Sequence, residues 1–207
     1  MRTVVLVLFV SGLALGTGIG YRWYLQRAEI SAPIPINGTI LQPPRTMAPF
    51  QLVDHRGQSF VPANLLDRWS FVFFGFTHCP DVCPTILHTF RSMYESLPPK
   101  SIDRAQLQIA FVSVDPERDS VDILRQYVPY FHPTFVGVTG TPEAIERFAK
   151  ELGVLYVKVP QDGSNEYSVD HSASVFVFDP QGRMKAVLSP PFKAAELVSV
   201  LQQVADA

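Results

Sequence analysis

The chain has 207 residues, of which 47% are hydrophobic and 17% charged, enough for one ordinary domain and an appendage but not for two full domains. Its formal net charge is −2 and no basic stripe is present, which excludes nucleic acid as a partner. The sequence holds only two cysteines, which excludes a disulfide-dense secreted scaffold.

The N-terminal segment, residues 1–27, is predicted to be a transmembrane anchor. Residues 3–19 carry no charge, and the apolar stretch continued to residue 25, with Arg22 at its edge, can cross a bilayer of about 30 Å. A cleaved signal peptide is the alternative, although no A-x-A site closes the run. The segment carries three of the 17 basic side chains and no acidic one, so 14 basic and 19 acidic side chains remain, a net charge of −5.

Residues 28–49 are predicted to form an extended tether, because they hold five prolines and little apolar periodicity. The domain is predicted over residues 50–207. It is expected to begin with a hairpin in which Gly57 lies at the turn.

The rest of the domain alternates strands and helices. Residues 69–76 and 106–114 are apolar runs, typical of strands that are covered on both faces. The other predicted elements are helices over 82–97, 120–128, 141–152 and 193–204, extended segments over 134–138, 154–159, 174–179 and 183–189, and a polar loop over 161–170. This order predicts an α/β fold, a thioredoxin-like mixed sheet flanked by helices on both faces.

Cys79 and Cys83 are the chemical focus of the sequence. Pro84 lacks an N–H and is tolerated in the first turn of a helix, for which Asp81 is a suitable N-cap. Cys79 then lies just before the helix and Cys83 in its first turn, so both sulfurs can point to the positive helix end, which favours thiolate. A structural disulfide here would close too short a loop to stabilise the fold much. Thiolates are soft ligands that suit Cu(I) and tolerate Cu(II) or zinc.

A further ligand is expected among the five histidines. His78 adjoins Cys79 and is expected to support the metal site rather than bind the metal. His171 precedes a predicted central strand and would face the cysteines in a thioredoxin-like fold, where Asp170 could accept the hydrogen bond of its other ring nitrogen. Spacing alone leaves the assignment of His171 open. The remaining histidines are interpreted as ordinary surface or boundary residues: His55, His88 and His132.

Three motifs resemble those of the Sco/SenC family of copper proteins: FGFTHCPDVCPT (74–85), SVDPERDS (113–120) and VDHSASVFVFDPQG (169–182). The resemblance runs from about Phe50 to the C-terminus. It implies a thioredoxin-like domain that binds one copper, as Cu(I) or Cu(II), through Cys79, Cys83 and His171.

The resemblance also implies a metallochaperone that assists assembly of the CuA centre of cytochrome c oxidase. Its partners would be the CuA-bearing subunit of the oxidase and an upstream copper donor. A single-pass anchor would hold it in the inner (cytoplasmic) membrane of a bacterium, with the domain facing the periplasm. The alternative is a thiol–disulfide oxidoreductase of the same fold, in which Cys79 and Cys83 keep the CuA-site cysteines reduced.

The sequence departs from the family pattern in one place, where Ser120 and Val121 follow DPERD instead of the frequent Thr-Pro. This difference concerns a helix start and not the site. The nearby acids Asp115, Glu117 and Asp119 are interpreted as a solvated turn rather than as a second metal site.

Overall fold

A mixed sheet of eight strands forms the centre of the computed structural model, which describes residues 37–98, 102–161 and 166–206. The strands of the described residues are β1 (Gly38–Thr46), β2 (Leu52–Asp54), β3 (Ser59–Phe60), β4 (Trp69–Gly75), β5 (Leu107–Ser113), β6 (Val136–Thr139), β7 (Tyr156–Pro160), β8 (Tyr167–His171), β9 (Val175–Phe178) and β10 (Arg183–Leu188). The α-helices are α1 (Val82–Ser96), α2 (Val121–Phe131), α3 (Pro142–Leu152) and α4 (Ala194–Asp206), with short 3-10 helices at Pro62–Leu65 and Arg104–Gln106.

The order of the sheet is β1-β10-β9-β4-β5-β6-β2-β3. Strands β4, β5 and β6 run parallel to one another, and every other neighbouring pair is antiparallel. Strands β7 and β8 form a separate antiparallel ribbon. The mixed sheet that the sequence predicts is therefore confirmed.

Strand β4 is central and is covered on both faces, because its side chains alternate between them. Phe71 packs edge-on against Phe90 of α1, with ring centroids 5.8 Å apart. Phe74 points the other way and packs against Phe148 of α3, at 5.6 Å. Phe73 lies on the α1 side with Phe71. The continuous apolar pattern of this strand follows from its having helices on both sides.

The helix starts follow the predicted signals. Asp81 is the N-cap residue of α1, which places Pro84 in the first turn, and Thr141 caps α3 through a 3.2 Å hydrogen bond from the Ala144 N–H. Gly153 ends α3 with φ of +74°, a left-handed conformation that glycine adopts without strain. The hairpin of β2 and β3 is also as predicted.

Strand β1 lies within residues 28–49, and there the structure differs from the predicted tether. It forms an edge of the sheet by pairing with β10, and its register shifts between Ile40 and Arg45. Arg45 also donates a 2.8 Å hydrogen bond to the carboxylate of Glu151 in α3. Prolines are tolerated in an edge strand with such an irregularity, so the proline content did not exclude strand structure.

The ribbon is the second difference. Residues 161–170 were predicted to form a polar loop, yet β8 pairs with β7 from Tyr167 to His171. The ribbon stands apart from the main sheet, and four of the five residues of β7 are exposed. Val169 is the one buried residue of β8, so this strand carries no strong apolar alternation that would have predicted it.

The predicted anchor, residues 1–27, lies outside the described residues. Within the ranges that the structure describes, no helix is long and apolar enough to cross a membrane.

Candidate metal centre

The cysteine pair lies where β4 ends and α1 begins. Cys79 is partly buried in the connecting loop, whereas Cys83 is fully buried in the first helical turn. The Cys79 N–H donates to the carbonyl of Phe76 at 3.2 Å, and the Cys83 N–H donates to the Cys79 sulfur at 3.4 Å. The first amides of a helix lack intrahelical partners, so this one is free to bind a sulfur. No disulfide joins the two cysteines.

The two thiols differ in acidity. Hydrogen bonding from the Cys83 thiol lowers the pKa of Cys79 to about 3, with further contributions from His171 and the backbone N–H groups of Cys83 and Asp81 against the opposing effect of burial. The Cys83 pKa is raised, first by its hydrogen bond to Cys79 and then by burial. Cys79 is therefore a ready thiolate ligand at neutral pH, and Cys83 holds the proton that a metal must displace.

His171 reaches the cysteines from the end of β8. Its Nε2 lies 3.5 Å from the Cys83 sulfur, and its Nδ1 lies 3.1 Å from the carbonyl oxygen of Ser172. Because a carbonyl only accepts, Nδ1 carries a hydrogen, and Nε2 is the ring nitrogen turned toward the sulfurs. The imidazole is thus oriented as a metal ligand would be. Phe73 and Phe76 pack edge-on against the ring, at 6.1 and 5.9 Å.

The expected role of Asp170 is contradicted. Its side chain is exposed, since neighbouring residues in a strand point to opposite faces, and the Ser172 carbonyl takes the hydrogen bond of His171 instead. The His78 side chain is largely exposed and contacts its neighbours Thr77 and Asp119. Its Nδ1 lies 3.1 Å from the hydroxyl of Thr77 and 3.9 Å from a carboxylate oxygen of Asp119.

Asp119 fixes the loop that carries Cys79. It is fully buried and accepts hydrogen bonds from the Thr77 N–H at 2.9 Å, from the Thr77 hydroxyl at 2.6 Å and from the Ser113 hydroxyl at 2.6 Å. The carboxylate therefore joins the end of β5 to the segment two residues before Cys79. The interpretation of Asp119 as part of a solvated turn was wrong.

Asp115 fixes the strand that carries His171, and it too is fully buried. It accepts a 2.8 Å hydrogen bond from the Tyr167 hydroxyl and pairs with Arg118. Arg118 in turn donates to the Tyr167 carbonyl at 2.8 Å and stacks on the tyrosine ring, 3.8 Å from its centroid. Only Glu117 of the three acids is exposed as expected, and it pairs with Lys158 at 2.7 Å. The acidic motif at residues 113–120 was the sequence signal from which the supporting role of Asp115 and Asp119 could have been predicted.

The donor set suits a soft or borderline metal ion. Bond lengths of about 2.3 Å to sulfur and 2.0 Å to nitrogen at a tetrahedral ion separate the two donors by roughly 3.5 Å, the separation of Cys83 and His171 here. No group of three or more His, Cys, Asp and Glu side chains in the described ranges is already arranged around one point. Two thiolates and an imidazole fit copper, in either common oxidation state, better than they fit calcium or magnesium.

Comparisons with known proteins agree with these motifs. The family model described as SCO1/SenC matches residues 39–206. A Stutzerimonas stutzeri protein named for copper binding is 36% identical over 170 residues, 82% of this chain and 82% of the relative. The mitochondrial SCO2 homolog of Mus musculus is 35% identical over 169 residues, 81% of this chain and 66% of the relative.

Solved structures show the same fold. The crystal structure of Arabidopsis thaliana ScoI with copper bound has a TM-score of 0.71 and 32% identity, and the match covers 77% of this chain and 98% of that one. Yeast Sco1 with copper bound has a TM-score of 0.70 and 31% identity, with coverages of 79% and 90%.

Proposed function

The chain belongs to the SCO1/SenC family, and from that premise we propose that it binds one copper ion through Cys79, Cys83 and His171. We propose further that it assists assembly of the CuA centre of cytochrome c oxidase. The observation that carries the proposal is the 3.5 Å approach of His171 Nε2 to the Cys83 sulfur, beside a second sulfur of low pKa. The relative named for copper binding and the two copper-bound structures support the choice of metal.

The order of ligand engagement follows from exposure. Cys79 is the accessible sulfur and is already ionised at neutral pH, so it meets the incoming copper first. Cys83 and His171 then complete the set, and the Cys83 proton leaves as the metal binds. Release to the cysteines and histidines of a target would reverse these steps by ligand exchange, so that His171 and Cys83 leave the copper first and Cys79 leaves it last.

The remaining parts of the proposal concern place and partners. The domain is proposed to face the periplasm from the inner membrane, with residues 1–27 as the anchor. It would take copper from an upstream donor and pass it to the CuA-bearing oxidase subunit.

Copper transfer to the metal-free CuA domain of the subunit tests this function. The loaded protein should lose its own copper spectrum while the CuA spectrum appears, and transfer should exceed that from free copper in the presence of a chelator. A loaded protein that retains its copper next to the metal-free target would contradict delivery.

A second candidate function is thiol–disulfide exchange, favoured by the close pair of cysteines with one low-pKa thiol. The Cys79 thiolate would attack a target disulfide and release one target thiolate, and Cys83 would then release the second as the Cys79–Cys83 disulfide forms. This chemistry does not need His171. Full disulfide reduction by a His171→Ala protein that has lost copper binding would favour the redox function, and joint loss would favour the copper function.

A further inference from the structure

An open groove lies between α3 and the chain segment that follows β1. Its volume is about 890 Å³. One side is formed by Arg45 and residues 48–51, and the other side by residues of α3 as far as Gly153. None of the three proposed copper ligands lines it, so the groove is separate from the metal centre.

The floor of the groove is apolar. Phe50 and Phe148 line it with their ring centroids 4.4 Å apart, and Leu152 lies one turn further along α3. Phe148 and Leu152 are buried, whereas Phe50 is only partly buried. A concave apolar surface of this size with a few polar groups at its edge is the usual form of a binding cleft.

The rim of the groove is basic. Three cations line it, Arg45, Arg147 and Lys150, together with one carboxylate, that of Glu151. Arg45 already pairs with this carboxylate at 2.8 Å, whereas the side chains of Arg147 and Lys150 form no hydrogen bond or ion pair within the described ranges. Glu143, one turn before Arg147, does not line the groove. Two cations are therefore left for a ligand, in a domain whose net charge over residues 28–207 is −5.

The groove continues past the end of α3. A second cleft, of about 500 Å³, shares Lys150 and Gly153 with it and extends to Leu155 and Tyr156 at the start of β7, past one further acid, Glu146. The exposed Leu155 side chain offers another apolar contact there. A compact ligand would fill only one of the two clefts, whereas an extended chain can occupy both. The shape therefore favours a polypeptide segment.

We propose that this groove binds an extended acidic segment of a partner protein. Its carboxylates would pair with Arg147 and Lys150, and its apolar side chains would pack on Phe50 and Phe148. A membrane surface is flat and would not enter the groove, and the acidic domain repels nucleic acid. The site goes beyond the proposed copper function, because it uses none of the metal ligands.

Binding of the full chain to an array of short peptides tests the proposal. The array holds acidic and basic peptides of mixed sequence, each kind with and without apolar residues. We expect the acidic peptides with apolar residues to bind most strongly, since they alone complement both the rim and the floor. Their binding should weaken as the salt concentration rises, because ion pairs at an exposed rim are screened.

Two variants locate the binding in the groove. Arg147→Glu/Lys150→Glu reverses the charge of the rim and should bind these peptides roughly tenfold more weakly. Ala48→Trp fills the groove without a change of charge and should weaken binding to a similar degree. Arg68→Glu/Lys193→Glu is the matched control, with the same change of charge at exposed residues outside the groove, and should bind like the wild type. Urea unfolding checks that each variant keeps its fold.

Several results would overturn the inference. Acidic peptides that bind no better than basic ones would do so, and so would a rim variant that binds like its control or an Ala48→Trp protein that binds like the wild type. Anionic vesicles, or a second copy of the chain in sedimentation, that bind to the wild type but not to Ala48→Trp would identify a different occupant. Copper enters none of these measurements, so failure of the proposed copper function would leave their outcome unchanged.

Discussion

The sulfur of Cys83 lies 3.5 Å from Nε2 of His171, although 88 residues separate the two in the chain. One residue is held by a helix start and the other by the end of a ribbon outside the main sheet. Two buried carboxylates secure these supports, Asp119 on the cysteine loop and Asp115 on the ribbon. The geometry of the site therefore depends on residues that bind no metal.

Asp119→Asn should loosen the cysteine loop. The amide keeps the size of the carboxylate but presents an NH₂ group to the donors of Thr77 and Ser113, so one buried donor loses its acceptor. We expect a loss of about 1–3 kcal/mol in unfolding free energy and weaker copper binding. Urea unfolding measures the first effect. Asp122→Asn is the control, since that side chain is 77% exposed, and equal effects of both changes would contradict this role.

Tyr167→Phe should weaken the attachment of the strand that carries His171. The change removes the 2.8 Å hydrogen bond to Asp115 and leaves the ring to stack on Arg118. We expect loss of this hydrogen bond to cost about 1 kcal/mol of binding free energy. This corresponds to a roughly fivefold loss of copper affinity. Tyr156→Phe, on the other strand of the ribbon, should bind copper like the wild type, and a Tyr167→Phe protein that does so too would argue against the coupling.

Gly75→Ala should disturb the buried sulfur directly. The new methyl group would lie 2.8 Å from Cys83 Sγ and 2.7 Å from the Phe111 ring, closer than van der Waals contact allows. Overpacking of this kind costs about 1–3 kcal/mol, and we expect a shifted copper spectrum as well. Gly140→Ala, whose methyl would meet Leu52 at 3.0 Å, is the control. A native spectrum in Gly75→Ala would mean that Cys83 moves freely.

The low pKa of Cys79 predicts its reactivity. With a pKa of about 3, the thiol is ionised throughout the range from pH 5 to 8, so its alkylation rate in the metal-free protein should stay nearly constant. An ordinary thiol would react about tenfold faster for each unit of pH in this range. Mass spectrometry identifies the labelled cysteine. A Cys79 rate that rises steeply toward pH 8 would contradict the lowered pKa.

The lowered pKa of Cys79 also makes the free energy of unfolding depend on pH. The folded pKa of Cys79 lies below that of the unfolded chain, so the stabilisation is fully present above the unfolded pKa and is lost as the pH falls toward 3. The stability difference between wild type and Cys79→Ser should therefore grow from pH 4 to pH 7. Urea unfolding that gives the same stability difference between the two proteins from pH 4 to pH 7 would contradict the lowered pKa of Cys79.

Local signals predicted the cysteine half of the site. Pro84 restricts the helix register by its missing N–H, and Asp81 lies at the N-cap position although its side chain makes no capping hydrogen bond. The positions of Cys79 and Cys83 therefore followed from a few adjacent residues. The central strands were also predicted, because burial on both faces leaves a continuous apolar pattern.

The histidine half, and the buried acids that hold both halves in place, required long-range information. The buried acids were taken for a solvated turn because their partners are distant in sequence, with Thr77 lying 42 residues from Asp119 and Tyr167 lying 52 residues from Asp115. His171 Nδ1 bonds to the backbone carbonyl of Ser172, and every residue has such a carbonyl. No side-chain motif could therefore predict this hydrogen bond.

Copper loading of the reduced protein tests the three-ligand site most directly. Absorption and EPR spectra would be compared for the wild type, Cys79→Ala, His171→Ala and the control His88→Ala, whose ring packs on Phe131 away from the sulfurs. We predict a sulfur-to-copper charge-transfer band in the wild type and in His88→Ala, and its loss in the other two proteins while their folds remain intact. A His171→Ala protein that keeps the wild-type band and copper affinity would contradict the account.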